Sequence, residues 1–143
     1  MNKFVDTNVF IHAMLPMKDG MNEKEKRIKQ NSMEILTRIQ NGEVVFITTL
    51  QIAEIMNLLE RWQGHEIARD ILKFLVESFN VKIFEITNRE LIDALDLFEK
   101  YKHNKIGIND LITYVSMKRN DIQYIYSFDS HFDQFPDINR LDE

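Results

Sequence analysis

The sequence predicts an α/β protein in which a mostly parallel sheet lies between layers of helices. Short apolar segments with strand character alternate with longer segments whose apolar residues recur at helical spacing, which favours parallel strands joined by right-handed helical crossovers. Only 4 glycines and 2 prolines occur among 143 residues, which favours long elements and short connections. At this length, with 44% apolar and 29% charged residues, we expect one globular domain spanning residues 1–143.

The predicted elements begin with a short strand, Lys3 to Val5, and continue with a helix in the apolar stretch after Asp6. From about Asn22 to Gln40 the isoleucines and leucines recur at helical spacing, with Asn22 as the N-cap and Gly42 as the stop. The unbroken apolar run Val44 to Ile47 (VVFI) is typical of a buried strand.

The middle of the chain is predicted to hold two helices and a strand. Thr48 and Thr49 are suited to cap the helix that follows VVFI, and Gly64 is expected to end it. A further helix is predicted from His65 to Ser78, and a strand from Val81 to Ile86.

The last part of the chain is predicted to hold two more helices and one strand. A capping box at Thr87 begins a helix that ends near Lys102, and Ile108 to Arg119 forms the next helix. Ile122 to Ser127 (IQYIYS) is predicted to be a strand, and a short tail follows around Ile138.

The composition limits the location and the partners of the protein. The chain has no cysteine, which excludes disulfides and thiolate metal sites, and a cytoplasmic location is the simplest expectation. No segment approaches the roughly 18 consecutive apolar residues of a membrane helix, so no membrane partner is expected. The formal charge of −5 argues against binding to nucleic acid.

The basic residues are nevertheless gathered into two clusters. The first contains Lys18, Lys24, Lys26, Arg27 and Lys29, and the second contains Lys100, Lys102, His103 and Lys105. Segregated charge of this kind can attract a polyanion locally despite net acidity, although charge runs on helices are also common as solvated faces. The sequence leaves both interpretations open.

Four carboxylates are predicted to meet at one edge of the sheet. Asp6 follows the first strand directly, and Asp129 follows the last predicted strand. Asp110 lies in the first turn of its helix, and Glu54 lies about two turns into the helix after VVFI. Helical side chains lean towards the N-terminus, and ligands of parallel sheets bind beyond the carboxyl ends of the strands.

Such a group of carboxylates would be repulsive unless some were protonated or a cation lay among them. No histidine-rich or cysteine-rich pattern is present, so an all-carboxylate site favours a hard ion, Mg²⁺ or Mn²⁺, bound partly through water. Such an ion can bind phosphate oxygens and promote hydrolysis.

Each carboxylate also has a simpler explanation. Asp6 in Asp-Thr-Asn is a good helix cap, and Glu54 fits an ordinary polar helix face. Asp110 has a favourable interaction with the helix dipole, and Asp129 is suited to begin a turn. The order of the four residues and their placement after strands, rather than any one of them, carry the hypothesis of a metal site.

The sequence resembles PIN domains, especially the small toxins of the VapC type. The matching segments cover nearly the whole chain in the family's order: FVDTNVFIHA, TTLQIAEIMNLL, INDLITYVSMKRND and YIYSFDSHFDQFPDINRL. The resemblance implies a five-stranded parallel sheet and metal-dependent ribonuclease activity. It assigns the acidic roles to Asp6, Glu54, Asp110 and Asp129, supporting roles to Thr7 and Asn8, and to Asp133 only that of a substitute for Asp129.

We therefore expect an endoribonuclease that requires Mg²⁺ or Mn²⁺ and is the toxin of a toxin–antitoxin pair. Asp6, Asp110 and Asp129 are the expected metal ligands, directly or through water, and Glu54 is either a ligand or the group that orients the attacking water. The expected partners are an RNA substrate, a cognate antitoxin protein and, from the resemblance alone, a second copy in a homodimer.

Other interpretations remain open from the sequence. Tyr101 or Phe132 either stacks on unpaired bases or lies in the core. The chain as a whole is alternatively a catalytically silent PIN-like module that binds RNA or protein, or a housekeeping RNA-processing nuclease. A phosphoryl-transfer or phospho-acceptor protein is a weaker alternative, because DTNVF lacks the second aspartate expected of the common aspartate phosphatases.

Overall fold

The computed structural model describes all 143 residues, and it confirms the predicted α/β architecture. The elements in chain order are β1 (Lys3–Val5), α1 (Thr7–Met14), α2 (Glu23–Gln40), β2 (Val45–Thr48), α3 (Thr49–Gln63), α4 (His65–Glu77), β3 (Val81–Phe84), α5 (Asn88–Tyr101), α6 (Ile108–Arg119), β4 (Tyr124–Tyr126) and β5 (Asn139–Leu141). Two short 3₁₀ segments lie at Lys102–Asn104 and Ser130–Gln134. No helix combines the length and the apolar character needed to cross a membrane.

The five strands form one sheet in the order β3-β2-β1-β4-β5, and every neighbouring pair is parallel. The chain builds the sheet outwards from β1 through β2 to β3, and then crosses to the other side of β1 to add β4 and β5. The direction of winding therefore reverses between β1 and β4. A cleft opens at such a switch point, beyond the carboxyl ends of the two strands.

Helices cover both faces of the sheet. Val5 and its neighbours on β2, β3 and β4 pack against α1, α2, α3 and α4, whereas Phe4 and Ile125 pack against α5, α6 and the Ser130–Gln134 segment. Phe4 and Val5 are both fully buried, as expected for a central parallel strand that is covered on both sides. The ends of β1 and β4 are therefore held in a rigid interior.

The strands differ from the prediction mainly in length. β3 ends at Phe84 rather than Ile86, and β4 is confined to three residues. β5 lies in the segment predicted to be a tail, where Asn139 pairs with Tyr124 of β4. This edge strand is held by backbone pairing with β4 rather than by burial of its side chains. It therefore has no apolar run that would have predicted a strand.

The cap of α3 also ties that helix to β1. Thr48 Oγ1 accepts a hydrogen bond from Gln51 N at 3.1 Å, and Gln51 Oε1 accepts one from Thr48 N at 2.9 Å. The same Gln51 side chain donates from Nε2 to the carbonyl oxygen of Val5 at 2.9 Å, and Gln51 is only 4% exposed. The helix that carries Glu54 is thus fixed directly to the end of the central strand.

We expect Gln51→Ala to lower the free energy of unfolding by about 1–3 kcal/mol, since it leaves buried backbone groups of Thr48 and Val5 without partners. Chemical denaturation measures this change. Asn57→Ala, on the exposed side of the same helix, is the matched control and should change the free energy by less than about 0.5 kcal/mol. Equal effects of the two substitutions would contradict the role given to Gln51.

Candidate active site

Asp6 is both a helix cap and a buried residue of the cleft. Its Oδ1 accepts a hydrogen bond from Thr7 N at 2.8 Å, and its backbone N–H donates to the Tyr126 carbonyl oxygen at 2.9 Å. Its Oδ2 accepts a hydrogen bond from the Ser127 hydroxyl at 2.7 Å. The bond from Thr7 shows that Asp6 does cap α1. Because Asp6 is only 7% exposed and bonded at both oxygens, its carboxylate is also held firmly at the switch point.

The Ser127 hydroxyl connects the ends of β1 and β4. Besides donating to Asp6, it accepts a hydrogen bond from Asp129 N at 3.0 Å, and the residue is fully buried. Asn8 completes the connection, because its Oδ1 accepts a hydrogen bond from Phe128 N at 3.3 Å. Ser127 was predicted only as the end of a strand, although a hydroxyl two residues before Asp129 could have indicated a hydrogen-bonding role.

Asp110 and Asp129 lie together with a histidine that the sequence analysis did not select. Asp129 Oδ1 accepts a hydrogen bond from His131 N at 2.9 Å and lies 3.1 Å from His131 Nδ1. Asp110, Asp129 and His131 each offer one ligand atom within 4.8 Å of the others. Asp110 stands at the start of α6, which is buried continuously from Leu111 to Met117, so its position is also rigid.

Glu54 reaches the same cleft from α3 and is held there by a residue of α6. Asn109 Nδ2 donates a hydrogen bond to Glu54 Oε2 at 2.9 Å. The sequence analysis did not assign a role to Asn109. Its amide joins the two helices across the cleft and fixes one oxygen of Glu54.

The structure brings all four predicted carboxylates into one cleft of about 340 Å³. Its lining residues are Asp6, Thr7, Asn8, Ile11, Glu54, Leu58, Trp62, Gly107, Asn109, Asp110 and Asp129. Asp133 is not among them, because both of its oxygens accept hydrogen bonds from the Arg140 guanidinium, at 3.0 and 3.2 Å.

The two aromatic residues considered for base stacking lie in the core. Tyr101 is 8% exposed and Phe132 is fully buried, and both pack against Phe135. The stacking alternative is therefore wrong for these residues. Trp62 is 49% exposed and lines the cleft, and it is the aromatic side chain available there.

The electrostatics of the cleft reflect burial and crowding of like charges. Burial raises the pKa of Asp6 to about 6, with a further contribution from Asp129 and Glu54, while the hydrogen bonds from Ser127 and Thr7 oppose the shift. Burial and the charges of the other three carboxylates raise the pKa of Asp110 to about 8. No lysine or arginine forms an ion pair with any of the four.

The residues present fit a divalent cation. The donors are carboxylate oxygens with the His131 imidazole beside Asp129, and no lysine or arginine neutralises them. The buried Thr7 Oγ1 has no hydrogen-bond partner in the protein, although Thr7 lines the cleft and is 4% exposed. A hydrated hard ion would supply both the missing positive charge and a partner for this hydroxyl.

The raised pKa values predict how the stability of the metal-free protein depends on pH. Because folded Asp6 and Asp110 hold protons to a higher pH than the unfolded chain does, the free energy of unfolding in EDTA should fall as the pH rises from the ordinary value of 3.8 towards about 8. Asp110→Asn should flatten this dependence and be the more stable protein at pH 8.

Chemical denaturation across this pH range measures the slope. Asp96→Asn is the matched control, since Asp96 is exposed on α5 and outside the cleft, and it should leave the slope unchanged. If the free energy of unfolding depended on pH equally in the wild type and in Asp110→Asn, the raised pKa of Asp110 would be contradicted.

Several solved structures share this fold. VapC20 of Mycobacterium tuberculosis, a sarcin–ricin loop cleaving toxin, is 19% identical over 92% of this chain and 93% of its own, with a TM-score of 0.73. VapBC2 of Rickettsia felis, bound to a DNA fragment from its promoter, is 15% identical over 99% and 98%, with a TM-score of 0.66. A toxin–antitoxin complex from Klebsiella pneumoniae is 14% identical over 96% and 95%, with a TM-score of 0.65.

These identities establish a common fold and nothing finer. Comparison with proteins of curated function gives no match. The family model of the PIN domain matches residues 3–138, which is nearly the whole chain. The protein therefore belongs to the PIN domain family.

Proposed function

We propose that the protein is a metal-dependent endoribonuclease and the toxin of a toxin–antitoxin pair. The observation that carries this proposal is the cleft at the β1–β4 switch point, where four carboxylates converge without a lysine or arginine partner. Membership of the PIN domain family supports nuclease chemistry in that cleft. The complete acidic set weighs against a silent binding module, which would have no use for the repulsion among these groups.

The four carboxylates have distinct roles in this proposal. Asp110 and Asp129 would hold the ion, Mg²⁺ or Mn²⁺, and Asp6 would bind it directly or through water. When bound, such an ion offsets negative charge on the phosphate that is cleaved and promotes hydrolysis. Ser127 fixes the orientation of Asp6, because it donates to one of the two carboxylate oxygens. Glu54, oriented by Asn109, binds the ion or accepts a proton from the attacking water.

Only some residues of the first basic cluster, Lys18 to Lys29, are proposed to bind RNA. Lys29 donates hydrogen bonds to the carbonyl oxygens of Ala13 and Leu15, so it closes the end of α1 rather than facing solvent. Lys24 and Arg27 are exposed and form no ion pair, and they line a surface depression that also includes Ser130, next to Asp129. We assign phosphate contacts to these two residues.

An antitoxin is the second proposed partner. The Klebsiella and Rickettsia neighbours are toxin–antitoxin assemblies, which supports an equivalent partner here. A cleft of carboxylates that lack a lysine or arginine partner would also accept a basic side chain from such a protein through charge-assisted hydrogen bonds. A homodimer and a cytoplasmic location belong to the same proposal.

Purified protein should cleave single-stranded RNA in Mg²⁺ or Mn²⁺ and stop in EDTA. Asp6→Asn and Asp110→Asn should each lower the rate by about a hundredfold or more, because each removes a proposed ligand of the ion that offsets negative charge on the phosphate. Asp133→Asn is the matched control, since Asp133 lies outside the cleft, and it should retain activity. Gel analysis of a labelled RNA measures the rates. Cleavage in EDTA, or undiminished cleavage by the two folded cleft variants, would refute the proposal.

Expression of the wild type without an antitoxin should arrest bacterial growth, whereas Asp6→Asn should be tolerated at the same protein level. Asn caps a helix about as well as Asp, so this variant separates the catalytic role from the cap. Growth curves and immunoblots provide the measurement. Normal growth with abundant wild-type protein in several hosts would favour a housekeeping nuclease over a toxin.

A further inference from the structure

His131 does not line the cleft itself, but it contacts Asp129, which does. It is half-buried in the Ser130–Gln134 segment, and its own backbone N–H holds Asp129 Oδ1 at 2.9 Å. Its ring nitrogen Nδ1 lies 3.1 Å from that same oxygen. The tight turn from Asp129 to His131 therefore presents a carboxylate and an imidazole to one point.

The spacing of these groups approaches that of a single coordination sphere. The ligand atoms of Asp110, Asp129 and His131 lie within 4.8 Å of one another. Because bonds from a divalent ion to its ligands are about 2.1 Å long, a small contraction of this group would allow all three residues to hold one ion. Neither Asp6 nor Glu54 belongs to this group.

We propose that His131 is a nitrogen ligand of the metal, and that it makes this site prefer Mn²⁺ to Mg²⁺. The inference rests on the proposed metal dependence of the nuclease. Mg²⁺ binds almost entirely through oxygen, whereas imidazole is a good ligand for first-row transition ions, so one nitrogen shifts the balance towards Mn²⁺. The alternative is a positioning role, in which His131 only orients Asp129 through the Nδ1–Oδ1 contact.

Pulsed electron paramagnetic resonance of Mn²⁺ tests this directly, because a coordinated imidazole gives nitrogen modulation. Wild-type protein with one equivalent of Mn²⁺ should show this modulation, and ¹⁵N-labelling of histidine alone should change it. The signal is assigned to His131 if His131→Gln removes it and His65→Gln retains it, since His65 is exposed and bound to Glu60. The wild-type spectra alone show whether any histidine nitrogen binds the ion, so the absence of modulation there overturns the inference even where a variant folds poorly.

Titration calorimetry distinguishes a His131 that binds the ion from a His131 that only orients Asp129. His131→Gln should weaken Mn²⁺ binding by about tenfold or more while changing Mg²⁺ binding much less. Equal losses for both ions, or Mn²⁺ binding without nitrogen modulation, would overturn the inference and leave the proposed nuclease intact. Absence of Mn²⁺ binding to the wild type would overturn both.

Discussion

The pairing of β1 with β4 is the constraint on which the site depends. The register places Val5 opposite Tyr126, so the next residues, Asp6 and Ser127, meet beyond the strand ends and form a buried hydrogen bond of 2.7 Å. A slip of one residue would turn Asp6 to the opposite face of the sheet, away from Asp129. Full burial of Phe4 on one face and Val5 on the other opposes such a slip, because the two residues would have to exchange environments.

The same arrangement places like charges close together in the folded protein, where they repel one another. Asp6 and Asp110 have raised pKa values because they are buried near other carboxylates, which opposes folding wherever they ionise. The two apolar clusters on either side of the sheet offset this cost. Buried carboxylates crowded together without a lysine or arginine lower stability, and proteins usually tolerate such a cost only at functional sites.

The parts of the structure that could be predicted from sequence are those with a local cause. Asp6 directly follows an apolar strand, and the relation between a strand end and a sheet edge is general, so its position was predictable. The family resemblance implied a fifth strand, but the segment that forms β5 was predicted to be a tail, because its pairing with β4 leaves no apolar pattern in the sequence. Asn109 and Ser127 depend on which elements meet in space, and His131 depends on the tight turn after Asp129.

Charge links the proposed metal, substrate and antitoxin. A cleft that holds four carboxylates in a chain of formal charge −5 repels phosphate, so RNA would bind there far better once a divalent ion offsets part of that negative charge and offers a coordination position to a phosphate oxygen. Thermodynamic linkage then requires RNA to strengthen metal binding by the same factor. A basic side chain of an antitoxin would act oppositely, since it competes with the ion for the same oxygens. One group of carboxylates can therefore serve both cleavage and inhibition, and the two states exclude each other.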